Sequence, residues 1–214
     1  MDLGSRRTQF PLRLLIGFLA VAVWSVIRPY DYLTWSAEAA PALIIVILLV
    51  ATFRKFRLTS LLYGLLFISL VIMLIGSHYT YERVPLFDAM RTWFHLKRNH
   101  FDRFGHLFQG AVTALAASEL LLRCGVVSRG KWLAGIAISS ALAVSGLYEI
   151  AEFLSFRIFG GDVDLFLGHQ GDEWDAQWDM LSGLTGAAIG MAGLRRPHSK
   201  QIAKLGGAPG ELGR

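Results

Sequence analysis

Residues 37–76 read AEAAPALIIVILLVATFRKFRLTSLLYGLLFISLVIMLIG, and this stretch decides the fold class. Two apolar runs flank the four residues Arg54, Lys55, Phe56 and Arg57, which leave room only for a tight turn. Each run is close to the roughly 17–25 residues that a helix needs to cross a bilayer. The stretch therefore predicts two antiparallel transmembrane helices joined by a basic turn.

Composition extends this prediction to the whole chain. The 214 residues are 54% hydrophobic and 17% charged, whereas soluble domains are typically about 45–50% apolar and about 25% charged. This excess excludes disorder, a disulfide mini-protein and a coiled coil. Runs with few charges occur at residues 11–27, 37–53, 58–76, 104–122, 132–156 and 177–194. We predict an all-α polytopic membrane helix bundle with six transmembrane helices, forming one domain over residues 1–200, and a disordered cytoplasmic tail over residues 201–214.

The distribution of Lys and Arg predicts the orientation of these spans. Most of the 21 basic residues fall in the two termini, in the turn at 54–57 and in the connection at 123–131. Short connections that are rich in Lys and Arg stay inside, so both termini are predicted to be cytoplasmic. The net charge of +5 is therefore a topology signal. We expect a multi-pass protein of a bacterial inner membrane, whose partner is the lipid bilayer and not nucleic acid.

The first span has a second interpretation. Arg6 and Arg7 precede an apolar stretch that contains Ala20, Val21 and Ala22, a pattern that also occurs in cleavable signal peptides. The apolar run continues beyond these small residues to Ile27, which is long enough for a span. We therefore favour an uncleaved first helix.

Ionisable side chains concentrate at the predicted outer ends of four spans. They are His78, Asp102, His106, Glu149, Glu152, Asp172, Asp175 and Asp179. Residues three or four apart share one face of a helix, as Asp102 and His106 do, and as Glu149 and Glu152 do. A carboxylate inside a span costs several kcal/mol unless it is paired, protonated or hydrated. Glu149 and Glu152 are therefore the strongest candidates for function.

Each candidate also has a structural interpretation. Asp172, Asp175 and Asp179 could act as caps and interface residues of the last helix, and Asp102 could pair with Arg98 or Arg103. The two glutamates could pair with Arg83, Arg103 or Arg157. Two further features lie elsewhere. Glu119 is expected to reach toward Arg123, its i+4 neighbour, and a glycine stripe at positions 183, 186, 190 and 193 predicts close helix packing.

Four polar motifs resemble those of a known family. They are GSHYTY at 76–81, RNHFDRFGH at 98–106, YEIAE at 148–152 and QGDEWDAQWDM at 170–180. In these strings, and from about residue 28 to 194, the chain resembles the YjdF-type bacterial inner-membrane proteins. The acidic entry to the last helix has a looser likeness to VanZ-like membrane proteins. The resemblance implies a helical inner-membrane protein and implies no particular reaction.

The residues themselves suggest an enzyme as the first hypothesis. The single cysteine, Cys124, excludes an intrachain disulfide and any multi-cysteine metal site. A divalent metal, Zn, Mg or Mn, would therefore be held by His and carboxylates, and the predicted ligands are His78, His106, Glu149, Glu152, Asp175 and Asp179. Glu149, Glu152, His106 and Asp102 are the predicted catalytic residues.

Such a site could hydrolyse an ester or phosphodiester of a lipid or a small envelope molecule. Two alternatives stay open at this point. One is a protein of binding or assembly whose polar residues form a rigid hydrogen-bonded plug. The other is a proton-coupled transporter, which we rank last because the inner halves of the spans are apolar apart from Glu119.

Overall fold

The computed structural model describes residues 3–159 and 170–205, and within them the chain is helical without strands. Seven helices follow one another in these two ranges. We number them α1 (Leu3–Val26), α2 (Tyr32–Thr52), α3 (Ser60–Tyr79), α4 (Pro85–Trp93), α5 (Phe101–Arg123), α6 (Lys131–Phe159) and α7 (Asp175–Lys204). The predicted all-helical class is confirmed. Six of the seven helices coincide with the six predicted apolar runs.

Side-chain caps set the start of the two hairpin helices. The Asp31 carboxylate accepts a hydrogen bond from the backbone N–H of Thr34 at 2.7 Å and begins α2. The Thr59 hydroxyl accepts from the backbone N–H of Leu62 at 3.3 Å and begins α3. Such caps satisfy backbone donors that have no partner in the first turn of a helix. The basic residues Arg54, Lys55 and Arg57 lie in the turn between α2 and α3, as predicted.

Helix α4 was not predicted. It has nine residues, which is too short to cross a bilayer, so a search for membrane-length runs does not find it. Pro85 begins the helix, in the first turn where the missing N–H costs nothing. Its Trp93 is 70% exposed, and Phe94 just beyond its end is 67% exposed. Exposed aromatic side chains of this kind are typical of a membrane–water interface.

Within residues 3–159 and 170–205, four helices are long and apolar enough to cross a membrane: α1, α2, α3 and α6. Helices α5 and α7, which the sequence also predicted as spans, are long enough but less apolar than these four. Both helices carry buried polar side chains, among them Asp102, His106 and Glu119 on α5 and Asp179 and His198 on α7.

The last helix is longer than predicted at both ends. It begins at Asp175 and continues to Lys204, so residues 201–204 are helical although the sequence placed them in the tail. Ile202 is 2% exposed, and the Gln201 side chain accepts a hydrogen bond from the backbone N–H of Leu61 at 2.9 Å. These contacts hold the end of the helix against α3. Residues 206–214 of the predicted tail lie outside the described residues.

Helices α5, α6 and α7 form the tightest part of the bundle, where glycines allow backbones to touch. A Cβ atom at Gly110 would collide with the backbone of Gly183, and one at Gly186 would collide with the backbone of Leu107. The predicted close-packing stripe is thus confirmed at positions 183, 186 and 190, whereas Gly193 has no atom within 4 Å of a Cβ position. Small residues that permit such contact are typical of membrane helix pairs.

Candidate functional site

His106 is the centre of a buried polar group between α5, α6 and α7. Its side chain is 7% exposed, and its Nδ1 lies 2.7 Å from the hydroxyl of Ser145 on α6. The Ser145 hydroxyl lies 3.5 Å from the backbone carbonyl of Asp179 on α7 and donates to it. The Ser145 hydroxyl thus connects the ring of His106 on α5 to the backbone of α7.

Two carboxylates face the other ring nitrogen. Glu149 Oε1 lies 3.1 Å from His106 Nε2, and Asp102 Oδ1 lies 3.7 Å from it. Asp102 stands one helical turn before His106, and Glu149 stands one turn after Ser145, so adjacent turns of two helices bring these groups together. Oε1 of Glu149 accepts no hydrogen bond from the described part of the chain. Nε2 of His106 therefore faces two carboxyl groups, one from its own helix and one from α6.

Asp179 completes the group from the third helix. It is 1% exposed, and its Oδ1 has no hydrogen-bond partner among residues 3–159 and 170–205. One ligand atom each from Asp102, His106 and Asp179 lies within 4.8 Å of the others. Ligands about 2.1 Å from a tetrahedral metal are about 3.4 Å apart, so these three side chains would need to close by up to about 1.4 Å. We call Asp102, His106, Glu149 and Asp179 the His106 cluster.

Two arginines beside the cluster are occupied by other acids. Arg98 makes a two-point ion pair with Asp175, in which Nη2 lies 3.0 Å from Oδ2, and the side chains of both residues are buried. Arg103 Nη2 lies 2.7 Å from Oδ2 of Asp172. The backbone N–H of Trp174 and the Arg103 guanidinium hold the pKa of Asp172 below its usual value. Asp175, a predicted metal ligand, thus lies against guanidinium groups.

Of the two other predicted site residues, Glu152 lies in a cavity beside the cluster and His78 lies away from it. Glu152 lines a small cavity of about 60 Å³ between α2 and α6, together with Glu38 and Tyr148. His78 lies at the end of α3, where its Nδ1 is 2.9 Å from the backbone carbonyl of Ser25 and its ring stacks on Trp24 at 4.5 Å. The structure therefore brings Asp102, His106, Glu149 and Asp179 together and places His78 with α1.

An apolar cavity of about 170 Å³ adjoins the cluster between α2, α3, α5 and α6. Most of its lining is aliphatic, as illustrated by Ile45, Leu66 and Val112, and Asp102 and His106 line it as well. A space that combines an apolar wall with a few polar groups is typical of small-molecule sites. The cluster thus has access to a cavity that suits a hydrocarbon chain.

Sequence analysis missed two residues of this region. Ser145 connects α6 to both other helices, and its signal was a polar residue four positions before Glu149, on the same helical face. Glu38 lies within the second apolar run, where an acid is costly and therefore conspicuous. Its Oε2 is buried without a hydrogen-bond partner in the described ranges.

A second buried group lies at the opposite end of α5. Glu119 is fully buried, and its carboxylate oxygens lie 2.7 Å from Arg123 Nη1, 2.8 Å from His198 Nε2 and 2.8 Å from the Thr59 hydroxyl. The predicted contact with Arg123 is confirmed, and sequence analysis gave His198 no role. We call Thr59, Glu119, Arg123 and His198 the Glu119 cluster. It connects α3, α5 and α7.

A bundle of membrane-length apolar helices with buried histidine and carboxylate groups defines an integral membrane protein. The chain belongs to the family described as "Predicted membrane protein (DUF2238)", whose model matches residues 10–200. It is 40% identical over 203 residues to inner membrane protein YjdF of Escherichia coli (strain K12), which covers 94% of this chain and 97% of that protein. The resemblance stated from the motifs and the location in the inner membrane are confirmed. No solved structure matches the chain.

Proposed function

We propose that the His106 cluster binds a divalent cation and hydrolyses an ester or phosphodiester of a lipid or another envelope molecule. One observation carries this proposal: an imidazole nitrogen and two carboxylates, all buried, offer ligand atoms within 4.8 Å of one another. Buried carboxylates this close to one another repel unless protons or a cation lie between them. Both nearby arginines are engaged by Asp172 and Asp175, so a bound cation would supply the missing charge.

Asp102, His106 and Asp179 are the proposed ligands. One nitrogen and two oxygens suit Zn or Mn, and a set dominated by carboxylates also admits Mg. Ser145 orients the imidazole by accepting from Nδ1, which leaves Nε2 free to bind the metal. A cation in such a site polarises the substrate oxygen and lowers the pKa of water.

Glu149 is the proposed general base. Its Oε1 has no hydrogen-bond partner in the described ranges and lies 3.1 Å from the proposed metal ligand His106, which places it close enough to accept a proton from an attacking water. The water oxygen forms the new bond to the carbonyl carbon or to phosphorus, and the ester bond breaks. The proton passes to Glu149 and then to the leaving oxygen, so that water is the only co-reactant.

A substrate with a hydrocarbon chain fits the surroundings of the cluster. The cavity that Asp102 and His106 line is mostly apolar and lies between α2, α3, α5 and α6. An acyl chain in this cavity would place a head-group ester near the cluster. We therefore favour a lipid over a water-soluble envelope molecule.

We also propose six spans with both termini in the cytoplasm. Helices α5 and α7 contain 23 and 30 residues, enough at 1.5 Å per residue to cross a core of about 30 Å. The proposed orientation places the His106 cluster near the outer face. Alkaline phosphatase fused within residues 160–169 should be active, and the same reporter at the C-terminus should be inactive. The reverse pattern would contradict the orientation.

Elemental analysis of the purified protein tests the metal site. We expect about one Zn or Mn per chain after equilibration with either metal and removal of the excess. His106→Ala and Asp179→Asn should each lose the metal and stay folded in detergent. Asp172→Asn is the matched control, because it removes the same charge from a residue paired with Arg103, and it should keep the metal.

The alternative is a binding or assembly protein, and one observation favours it. The two-point pair of Arg98 with Asp175 fixes the start of α7 to the segment before α5, as a structural plug would require. If the folded protein takes up no Zn, Mn or Mg, the metal hypothesis is wrong and this alternative replaces it. If metal is bound but no lipid ester is cleaved, the site exists and the proposed reaction is wrong.

A further inference from the structure

Two adjoining cavities lie near the basic end of the bundle, which is formed by the α2–α3 turn and the end of α7. The first is apolar, has a volume of about 190 Å³ and lies between α1, α2 and α3, where Leu15, Val46 and Phe67 line it. The second has a volume of about 340 Å³. Pro11 and Tyr63 line both cavities, so the two spaces meet.

The second cavity differs from the first in charge. Arg57, Ser60 and Lys204 line it, and within the described ranges neither cation is ion-paired to a carboxylate. The Arg57 guanidinium lies over the ring of Phe53 at 4.6 Å, and its Nη2 is 3.4 Å from the Thr8 hydroxyl. The cavity-lining residue Thr59 also contacts the buried carboxylate of Glu119. That carboxylate is already bound by Thr59, Arg123 and His198. Among the described residues, the cavity is therefore lined by two cationic side chains and by no acidic one.

This pairing of cavities matches the chemistry of an amphiphile. A phosphate is attracted by two cations and by a hydroxyl donor, and a hydrocarbon chain is stabilised by aliphatic and aromatic walls. Basic pockets between membrane helices are suited to anionic head groups. The volume of the second cavity also falls within the about 300–1,000 Å³ of small-molecule sites.

We propose that these adjoining cavities bind one anionic phospholipid, with its phosphate beside Arg57 and Lys204 and an acyl chain between α1, α2 and α3. This site is separate from the His106 cluster and does not depend on the hydrolase proposal. It binds lipid as a resident ligand that closes the gap between α1 and the rest of the bundle. A lipid bound in these cavities stabilises the contact between α1 and α3.

The charge requirement is tested with phosphatidylglycerol added to the protein in a neutral detergent. Native mass spectrometry should detect one retained phosphatidylglycerol and far less phosphatidylcholine. The double variant Arg57→Gln, Lys204→Gln should weaken retention of phosphatidylglycerol at least tenfold. The matched control is Arg54→Gln, Lys55→Gln, which removes the same charge from the same end without touching either cavity, and it should bind as the unchanged protein does.

The acyl-chain requirement is tested by filling the apolar cavity. Val46→Trp should weaken phosphatidylglycerol binding, whereas the affinity of the protein for inorganic phosphate should be unchanged. If inorganic phosphate binds as tightly as the lipid, the site is a phosphate site and the lipid proposal is wrong. Equal retention of phosphatidylcholine, or unchanged retention in the Arg57, Lys204 variant, would equally overturn it.

Discussion

The His106 cluster and the Glu119 cluster occupy opposite ends of α5 and treat a buried carboxylate in opposite ways. Glu119 accepts from a hydroxyl, a guanidinium, an imidazole and the backbone N–H of Thr59 at 3.0 Å. In the His106 cluster, Glu149 Oε1 and Asp179 Oδ1 have no hydrogen-bond partner in the described ranges. Helix α5 therefore contributes at one end to a carboxylate that is fully hydrogen-bonded. At its other end it contributes to a cluster in which two carboxylate oxygens have no hydrogen-bond donor in the described ranges.

This difference separates a structural group from a site that can bind something. Buried polar atoms are normally hydrogen-bonded, because a buried donor or acceptor without a partner costs about 1–3 kcal/mol. The Glu119 cluster meets this demand internally and connects α3, α5 and α7. The His106 cluster contains carboxylate oxygens without hydrogen-bond donors, at a place where a cation could bind. Functional sites commonly have such unfavourable groups at the expense of stability.

The largest expected effect breaks both clusters together. Gly186→Leu places a side chain where the backbone of Leu107 lies, and neither backbone can give way. Because α5 and α7 contribute to both clusters, we expect more than about 4 kcal/mol of destabilisation and little folded protein. Fluorescence-detected size-exclusion chromatography in detergent measures this. A Cβ atom at Gly193 on the same helix meets no atom within 4 Å, so Gly193→Leu should elute as a single folded peak.

The second prediction breaks only the Glu119 cluster. Glu119→Gln removes the charge that Arg123 and His198 face inside the bundle, and it should cost about 3 kcal/mol. Thermal unfolding in detergent measures the change. Asp179→Asn is the matched carboxylate-to-amide change in the His106 cluster, and without added metal it should cost less than about 1 kcal/mol. Equal costs for the two variants would refute the distinction between the clusters.

The third prediction sharpens the comparison with a ligand. Adding Zn or Mn at about a hundred times its Kd should stabilise the unchanged protein by about 2.7 kcal/mol, because only the folded state presents the ligands together. Glu119→Gln should respond equally, although it starts from lower stability. Asp179→Asn should not respond. The shift of the unfolding midpoint with metal concentration measures this, and a response in Asp179→Asn would place the metal elsewhere.

The smallest expected effect concerns the half-buried pair of Arg103 and Asp172 beside the His106 cluster. The lowered pKa of Asp172 means that its carboxylate stabilises the fold above its unfolded value of about 3.9 and loses this contribution as the pH falls through the folded value. Asp172→Asn should therefore lower the unfolding midpoint slightly at pH 7 and not at strongly acid pH. A difference that grows as the pH falls would contradict the ion pair with Arg103.

The candidate site could be predicted only in part. Spacing along single helices predicted that Asp102 and His106 share a face, and the structure joins them at 3.7 Å. The same reasoning placed His78 at the right end of the bundle, yet α3 presents it to Ser25 and Trp24 of α1. Depth in the membrane follows from position in the sequence, whereas the direction a side chain faces follows from helix packing.

The sequence by itself determined the helical class, the six apolar runs, the α2–α3 hairpin and the glycine stripe. It could do so because helix length, charge and residue size are local properties. The tertiary structure alone decided that Ser145 orients His106, that Asp179 joins Asp102, and that His198 meets Glu119. These contacts connect residues 39–79 positions apart, and only the rotation and crossing of packed helices sets which of them touch.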